Sequence, residues 1–597
     1  MLPFICVLGL AGCAPQQMRL VDTVDAPQFV AMSQAMRPAM LRKHLVDHHG
    51  NWYSPGLSLH PSDAGAVLTE RLSPAFLESD VFAAQTFRAS LGRHAAVQEE
   101  RFASTIRKDG RLVRVELVAV AEANDMHIIL DGVFNHVSDD SVYFDRYYKF
   151  LGKSEKIGAY PYWAYVYDAM AEGMTQAEAE AAAVTFFGEN YGITDYSYTE
   201  WFHVSSSPAT WADNIGLRAG KPVYSYEGWW GYDSMPIIYS TNGSEYQTGN
   251  WAEEIISGEN SVNAYWLSKG MNGWRLDVAN EVSDETWQNF RDSVKALDSD
   301  AVIIGEIWDD ATKYLMGDMY DSVMNYLFRN AVTNFAKGSS ADQTAKELEK
   351  IRERYPEEAF YAMMNLVGSH DTTRLLSYLD GIGDDRADKT PGAAYPTYET
   401  TSELAKNRQF LVAFLQFTYP GAPTIYYGDE LGMVGSDDPD DRRAMEWGKG
   451  NQELVEWYAN LAAIRAQYPA LSTGAIHPID LGDSNLLAYT RSEGDVELIV
   501  IGNNNSSDKT VKIAIPKSES YVDLVTGKEY TDEVTVEGLR GVILVRKSQY
   551  VDVSVDTEKL APAYDSDYTV PVEEREETAM KYIKMVGLEK FVDSYPK

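Results

Sequence analysis

From about Val113 to Tyr468, short runs of consecutive apolar residues ending on a polar one alternate with amphipathic stretches. Unbroken apolar runs fit strands buried on both faces, and the amphipathic stretches fit helices covering them. The pattern therefore predicts repeated βα units and a parallel sheet. His127–Asp131 reads as a buried strand ending in a carboxylate, and Val115–Ala123 as a helix. Residues 137–250 interrupt the rhythm with Tyr, Trp, Gly and Ser, apart from one Ala/Glu-rich helix near Met174–Phe187. That stretch is too long for a βα loop and reads as an inserted subdomain. From about 472 to 547 the period becomes two: Val511, Ile513 and Ile515 alternate with Thr510, Lys512 and Ala514. Leu486–Arg491, Glu497–Asn503, Tyr521–Val525 and Val542–Val545, separated by Gly, Asn and Asp, read as strands of a small antiparallel β-sandwich. Residues 548–597 form an acidic, Pro-punctuated tail with a helix expected over Glu573–Val586.

Composition narrows the picture. Of 597 residues, 45% are hydrophobic, as in a folded globular protein. The 52 Lys+Arg against 89 Asp+Glu give a net charge of −37, which excludes nucleic acid and anionic lipid as partners of the folded surface. Neutral substrates feel little of such a field. The charge is uneven: residues 1–110 hold 10 basic and 10 acidic residues, so the later part carries all of the −37. The first part also holds 5 of the 10 histidines, which marks a change of composition within one chain. The 13 Trp and 38 Tyr supply flat faces suited to sugar rings, although core packing explains most of them singly.

Cys6 and Cys13 are the two cysteines, so no disulfide is expected in the body. Leu2–Ala14 is nearly all apolar but too short to span a bilayer. Leu10-Ala-Gly-Cys13 resembles the lipobox of bacterial lipoproteins, although Met1–Phe4 lacks the usual Lys or Arg. Residues 1–20 are accordingly read as a lipoprotein signal. The expected location is the cell surface or periplasm, with membrane contact only through a lipid at Cys13.

Four apolar runs end in polar clusters: Ile128–His136, Gly273–Asp277, Val302–Glu306 and Met364–Asp371. Asp277 and Glu306 are 29 residues apart, about one βα unit, and Glu306 and Asp371 are 65 apart, about two. This spacing places the three acids on strands four, five and seven of one ring, whose strand ends face the loop-lined mouth. The expected fold class is α/β: a (β/α)8 TIM-type barrel over 111–471, with the 137–250 insertion after the third strand, followed by the β-sandwich of 472–547.

Three acids in an aromatic-rich mouth suit glycoside hydrolysis. One carboxylate attacks the anomeric carbon, a second protonates the leaving oxygen and then activates water, and a third stabilises the cationic transition state. Arg275 lies on the same strand face as Asp277 and is expected to keep it ionised, whereas Glu306 would need a raised pKa to act as the acid. A lone strand-end Asp is more often a helix cap, and Arg275–Asp277 alone could be a plain ion pair. Four such clusters at barrel spacing point to a catalytic mouth.

At these clusters the chain resembles the alpha-amylase family, glycoside hydrolase family 13. The matching motifs run in order as Asp131-Gly-Val-Phe-Asn-His136, Gly273-Trp-Arg-Leu-Asp-Val-Ala-Asn-Glu281, Gly305-Glu-Ile-Trp308 and Ser369-His-Asp371. The resemblance implies Asp277 as nucleophile, Glu306 as general acid/base and Asp371 as transition-state stabiliser, with net retention of configuration. It further implies that His136, Arg275 and His370 hold the sugar, joined by Asn280, Glu281, Trp230 and Trp308 as substrate-binding residues. Val278-Ala-Asn-Glu281 is similar to neopullulanases, cyclomaltodextrinases and amylopullulanases, which handle α-1,4 and often α-1,6 glucosidic bonds. Gly228–Pro236 and Pro420–Glu430 look most like the amylopullulanase branch, while Asp309 departs from the histidine many neopullulanases carry there. The substrate implied is a neutral α-glucan such as starch, pullulan or a cyclomaltodextrin. No cofactor is required; some members bind calcium near the residue matching Asn135, but the sequence shows no acidic calcium loop.

The resemblance spans about 112–547 and stops at the atypical segment 21–110, where the family's first strands are expected. Either a divergent segment supplies them or this stretch is out-of-frame translation. Competing readings are a non-catalytic glucan-binding surface lipoprotein, an α-glucan transglycosylase, and a metal-dependent hydrolase using His136, His203 and His370, which lack a His-x-His strand end.

Overall fold

The computed structural model describes residues 5–6, 103–108, 111–116, 126–209, 220–238, 250–384, 401–438, 440–443, 450–513, 519–553 and 555. The expected lipid-bearing Cys13, most of 21–110 and the tail helix Glu573–Val586 lie outside these residues. The chain divides into two compact units at Glu306/Ile307.

In the first unit, β1 (Ala103–Lys108) and β2 (Arg111–Glu116) pair as an antiparallel hairpin. This corrects the helix expected to begin at Val115. Val115 and Glu116 close a strand, because the apolar–polar alternation around Leu112–Val115 fits a pleat as well as a helix over so short a window. The remainder of that expected helix, 117–123, lies outside the described residues.

β3 (His127–Gly132) is apolar on both faces and buried from Ile128 onward, as a strand flanked by others must be. β4 (Gly273–Leu276) pairs parallel with it, and β5 (Val302–Gly305) pairs parallel with β4. The register sets Asp131 opposite Arg275 and Leu276 opposite Gly305, so the residues just beyond each strand emerge at one edge. Gly273 is required by this sheet: it has φ +151°, and a Cβ there would lie 2.1 Å from the Val302 carbonyl oxygen.

Residues 137–250 contribute a helix pair. α1 spans Ala159–Ala171, and α2 spans Gln176–Tyr191. α2 begins with a Thr175/Glu178 capping box and ends on Gly192 in the left-handed region. Tyr162, Val166, Ala179, Ala183 and Phe187 form the core between them. α3 (Asp284–Leu297) is capped by Ser283 and buries Trp287, Phe290 and Val294 at helical spacing.

The second unit contains α4 (Tyr326–Lys337), the parallel pair β6 (Met364–Leu366) and β7 (Ala422–Thr424), and the buried helix α5 (Glu403–Thr418). Its C-terminal part is a six-stranded antiparallel sheet. The strands are β8 (Ala475–Ile479), β9 (Leu486–Glu493), β10 (Val496–Asn503), β12 (Tyr521–Asp523), β13 (Glu529–Tyr530) and β15 (Gly541–Arg546), in the order β8-β9-β10-β15-β12-β13. A separate pair, β11 (Lys509–Lys512) with β14 (Glu533–Val536), places Val534 and Val536 in one core with Leu486, Ile501 and Leu544.

Candidate active site

The sheet edge after β3, β4 and β5 gathers charge. Arg275 is buried, and its Nη1 donates to Asp131 Oδ1 at 2.8 Å and to Asp277 Oδ1 at 2.7 Å. Its Nη2 lies 2.9 Å from Glu306 Oε2. One guanidinium thus bridges three buried carboxylates instead of serving Asp277 alone, a role the same-face argument did not reach. Asp277 Oδ2 is buried and makes no hydrogen bond among the described residues.

The turn after Asp277 is strained. Val278 is β-branched yet sits at φ +48°, a conformation that costs on the order of 1–3 kcal/mol. Two contacts hold it there: the Val278 N–H donates to Glu306 Oε2 at 2.9 Å, and the buried Trp287 indole of α3 donates to Ala279 O at 2.7 Å. The Val278 N–H and the Arg275 guanidinium thus meet the same Glu306 oxygen.

His136 is buried and stacks flat on Trp229, with ring centroids 4.9 Å apart and planes 12° apart. The loop carrying Trp229 returns along the His136 segment through bonds from Val137 N to Pro236 O, Asp139 N to Ser234 O and Ile238 N to Asn135 O. Glu281 accepts the indole N–H groups of both Trp229, at 3.0 Å, and Trp230, at 3.3 Å. Trp230 is 79% exposed, and Asn280 lies exposed on the same short turn as Glu281.

In the second unit, His370 Nε2 lies 3.0 Å from Asp371 Oδ2. Buried Arg442 donates to Asp371 Oδ1 at 3.1 Å and to the His370 carbonyl at 2.7 Å. Arg442 was not foreseen, because its contact with Asp371 joins residues 71 positions apart. Trp308 is 43% exposed and stacks on Tyr326 at 3.8 Å and 9°. His203 is exposed.

Among the described residues, no three His, Cys, Asp or Glu side chains converge on a metal position.

A family profile described as "Alpha amylase, catalytic domain" matches residues 114–463. The chain is 35% identical over 469 residues to an amylopullulanase of Thermoanaerobacter thermohydrosulfuricus, covering 72% of this chain and 28% of that protein. It is 36% identical over 440 residues to neopullulanase 2 of Thermoactinomyces vulgaris, covering 72% of this chain and 61% of that one. The chain thus spans less than two thirds of these relatives. Among solved structures it is similar to the debranching enzyme of Nostoc punctiforme, with 25% identity, a TM-score of 0.51 and coverage of 72% and 78%. It is also similar to the cyclic alpha-maltosyl-(1→6)-maltose hydrolase of Arthrobacter globiformis, with 26% identity, a TM-score of 0.51 and coverage of 72% and 76%.

Proposed function

The chain belongs to the alpha-amylase family, and on that premise we propose that it is a retaining glycoside hydrolase of α-1,4 and/or α-1,6 glucosidic bonds in starch, pullulan or cyclomaltodextrins. The observation that carries the reading is the Arg275 clamp. It fixes Oδ1 of Asp277 and leaves Oδ2 without a hydrogen bond, which suits an oxygen that attacks the anomeric carbon. Glu306, held by the same guanidinium, is the general acid/base. Net retention is what the family motifs imply for such a nucleophile and acid/base pair. Carboxylates outnumber cations at this sheet edge, and a negative surplus stabilises the positive charge that develops on the sugar. Asp371, which the family motif implies as the transition-state stabiliser, is oriented by Arg442 within the second unit.

His136 and His370 contact the sugar at the cleavage point, and Asn280, Glu281, Trp230 and Trp308 shape the neighbouring subsites. Around them we place a (β/α)8 barrel over 111–471 with 137–250 as its inserted subdomain, and export with a lipid at Cys13. The relatives named amylopullulanase and neopullulanase support the substrate class.

Asp277→Asn should abolish release of reducing ends from maltodextrin while keeping the wild-type melting temperature within a few degrees. Full turnover in that variant would overturn the mechanism. Products from pullulan then assign the bond: maltotriose reports α-1,6 cleavage, and panose reports α-1,4 cleavage.

A further inference from the structure

Trp230 combines three features that rarely occur together. It is the most exposed large apolar side chain among the described residues, its backbone sits in the left-handed region at φ 52°, ψ 26°, and its indole N–H is hydrogen-bonded to a side chain. An exposed tryptophan satisfies its N–H with water at no cost, so a left-handed backbone and a dedicated acceptor need another reason.

The acceptor is Glu281. Its Oε2 takes the Trp229 indole at 3.0 Å and its Oε1 takes that of Trp230 at 3.3 Å, so both oxygens are committed to the ring pair. Trp229 is fixed from its other side by the flat stack on His136. The loop between them is tight: Gly231 N donates to Gly228 O, Tyr232 N to Trp229 O, and Trp229 N to Met235 O. A Cβ on Gly228 would lie 2.0 Å from the Tyr232 carbonyl oxygen. Glu281 itself follows Asp277 by four residues on the strained turn.

We propose that Glu281 is a positioning residue rather than a sugar ligand: its carboxylate clamps the two indoles and thereby holds the open face of Trp230 in one attitude, as a platform for a glucose ring of an α-glucan chain. The proposal rests on the glucan reading above. A platform ordered before substrate arrives loses little freedom on binding, so the clamp acts on affinity more than on the chemical step.

The test uses the full chain with Trp230→Ala, Glu281→Ala, their double variant and Trp230→Phe. With maltoheptaose, each of the two alanine variants should raise KM about tenfold and keep kcat within about twofold. The double variant should be no worse than about twofold beyond either one, because both remove the same platform. Losses that multiply in the double variant would show that Glu281 meets the sugar itself and would overturn the proposal, as would an unchanged KM in Glu281→Ala.

A second readout does not need activity. The Trp230 contribution to near-ultraviolet circular dichroism, taken as parent minus Trp230→Phe, should collapse in the Glu281→Ala background; its survival there would also overturn the clamp. Wild-type protein releasing no reducing ends from maltodextrin, pullulan or cyclomaltodextrin would defeat the glucan reading instead, and the dichroism would still decide the clamp by itself.

Discussion

Arg275 brings one positive charge to three buried carboxylates, and its planar fork is what allows this. Two nitrogens on a rigid plane reach Asp131 and Asp277 on one side and Glu306 on the other. A lysine at this position carries the same charge on a single nitrogen and leaves at least one carboxylate without its partner. Arg275→Lys should therefore fold with a lowered melting temperature and lose at least about a hundredfold in kcat. Arg275→Ala strands all three acids and should cost about 3–5 kcal/mol, read by denaturant unfolding. A Lys variant with wild-type kcat would show that charge alone suffices. The pairing of Arg275 with Asp277 is legible from their i, i+2 spacing on a strand. The contact with Glu306 is not, because it depends on the register of a neighbouring strand.

At the scale of elements, the three parallel strands align their polar ends because β4 meets β5 without an intervening Cβ. Gly273→Ala would push a methyl group into the Val302 backbone and force an alanine to φ +151°. No flexible side chain can yield there. The variant should be less stable by more than about 3 kcal/mol and largely insoluble on expression. A soluble Gly273→Ala protein with a wild-type melting curve would contradict this packing. Elements with long periodic or capped sequences were readable in advance: α2 with its Thr175/Glu178 box, and the C-terminal strands from Leu486 to Val545. The Val115 segment was misread, since six residues of alternating pattern do not separate a strand from the edge of a helix.

At the scale of the whole molecule, acidity and burial act together. Burial pushes the carboxyls of Asp139, Asp145 and Asp429 up to about 7, against 3.8 when exposed. The folded chain thus holds protons that the unfolded chain releases between roughly pH 4 and 7, so this contribution to stability is full at low pH and is lost as pH rises through about 7. The net charge of −37 adds repulsion in the same direction. The melting temperature should fall between pH 5.5 and 8, and the gap between Asp429→Asn and wild type should shift in favour of the variant over that range. Scanning fluorimetry across pH checks both; a melting temperature that rises toward pH 8 would contradict the assignment.

Chain-local chemistry was settled by the sequence. The apolar runs, the acids that end them, the family motifs and the acidic surplus all depend on neighbours within a few positions, where periodicity and residue type suffice. The tertiary structure alone decided which groups share a hydrogen-bond or ion-pair partner: Arg275 reaching carboxylates across three strands, Arg442 donating to Asp371, and Glu281 accepting from two indoles. Those contacts join residues up to 144 positions apart, and their geometry follows from strand register and loop return, which no local pattern encodes.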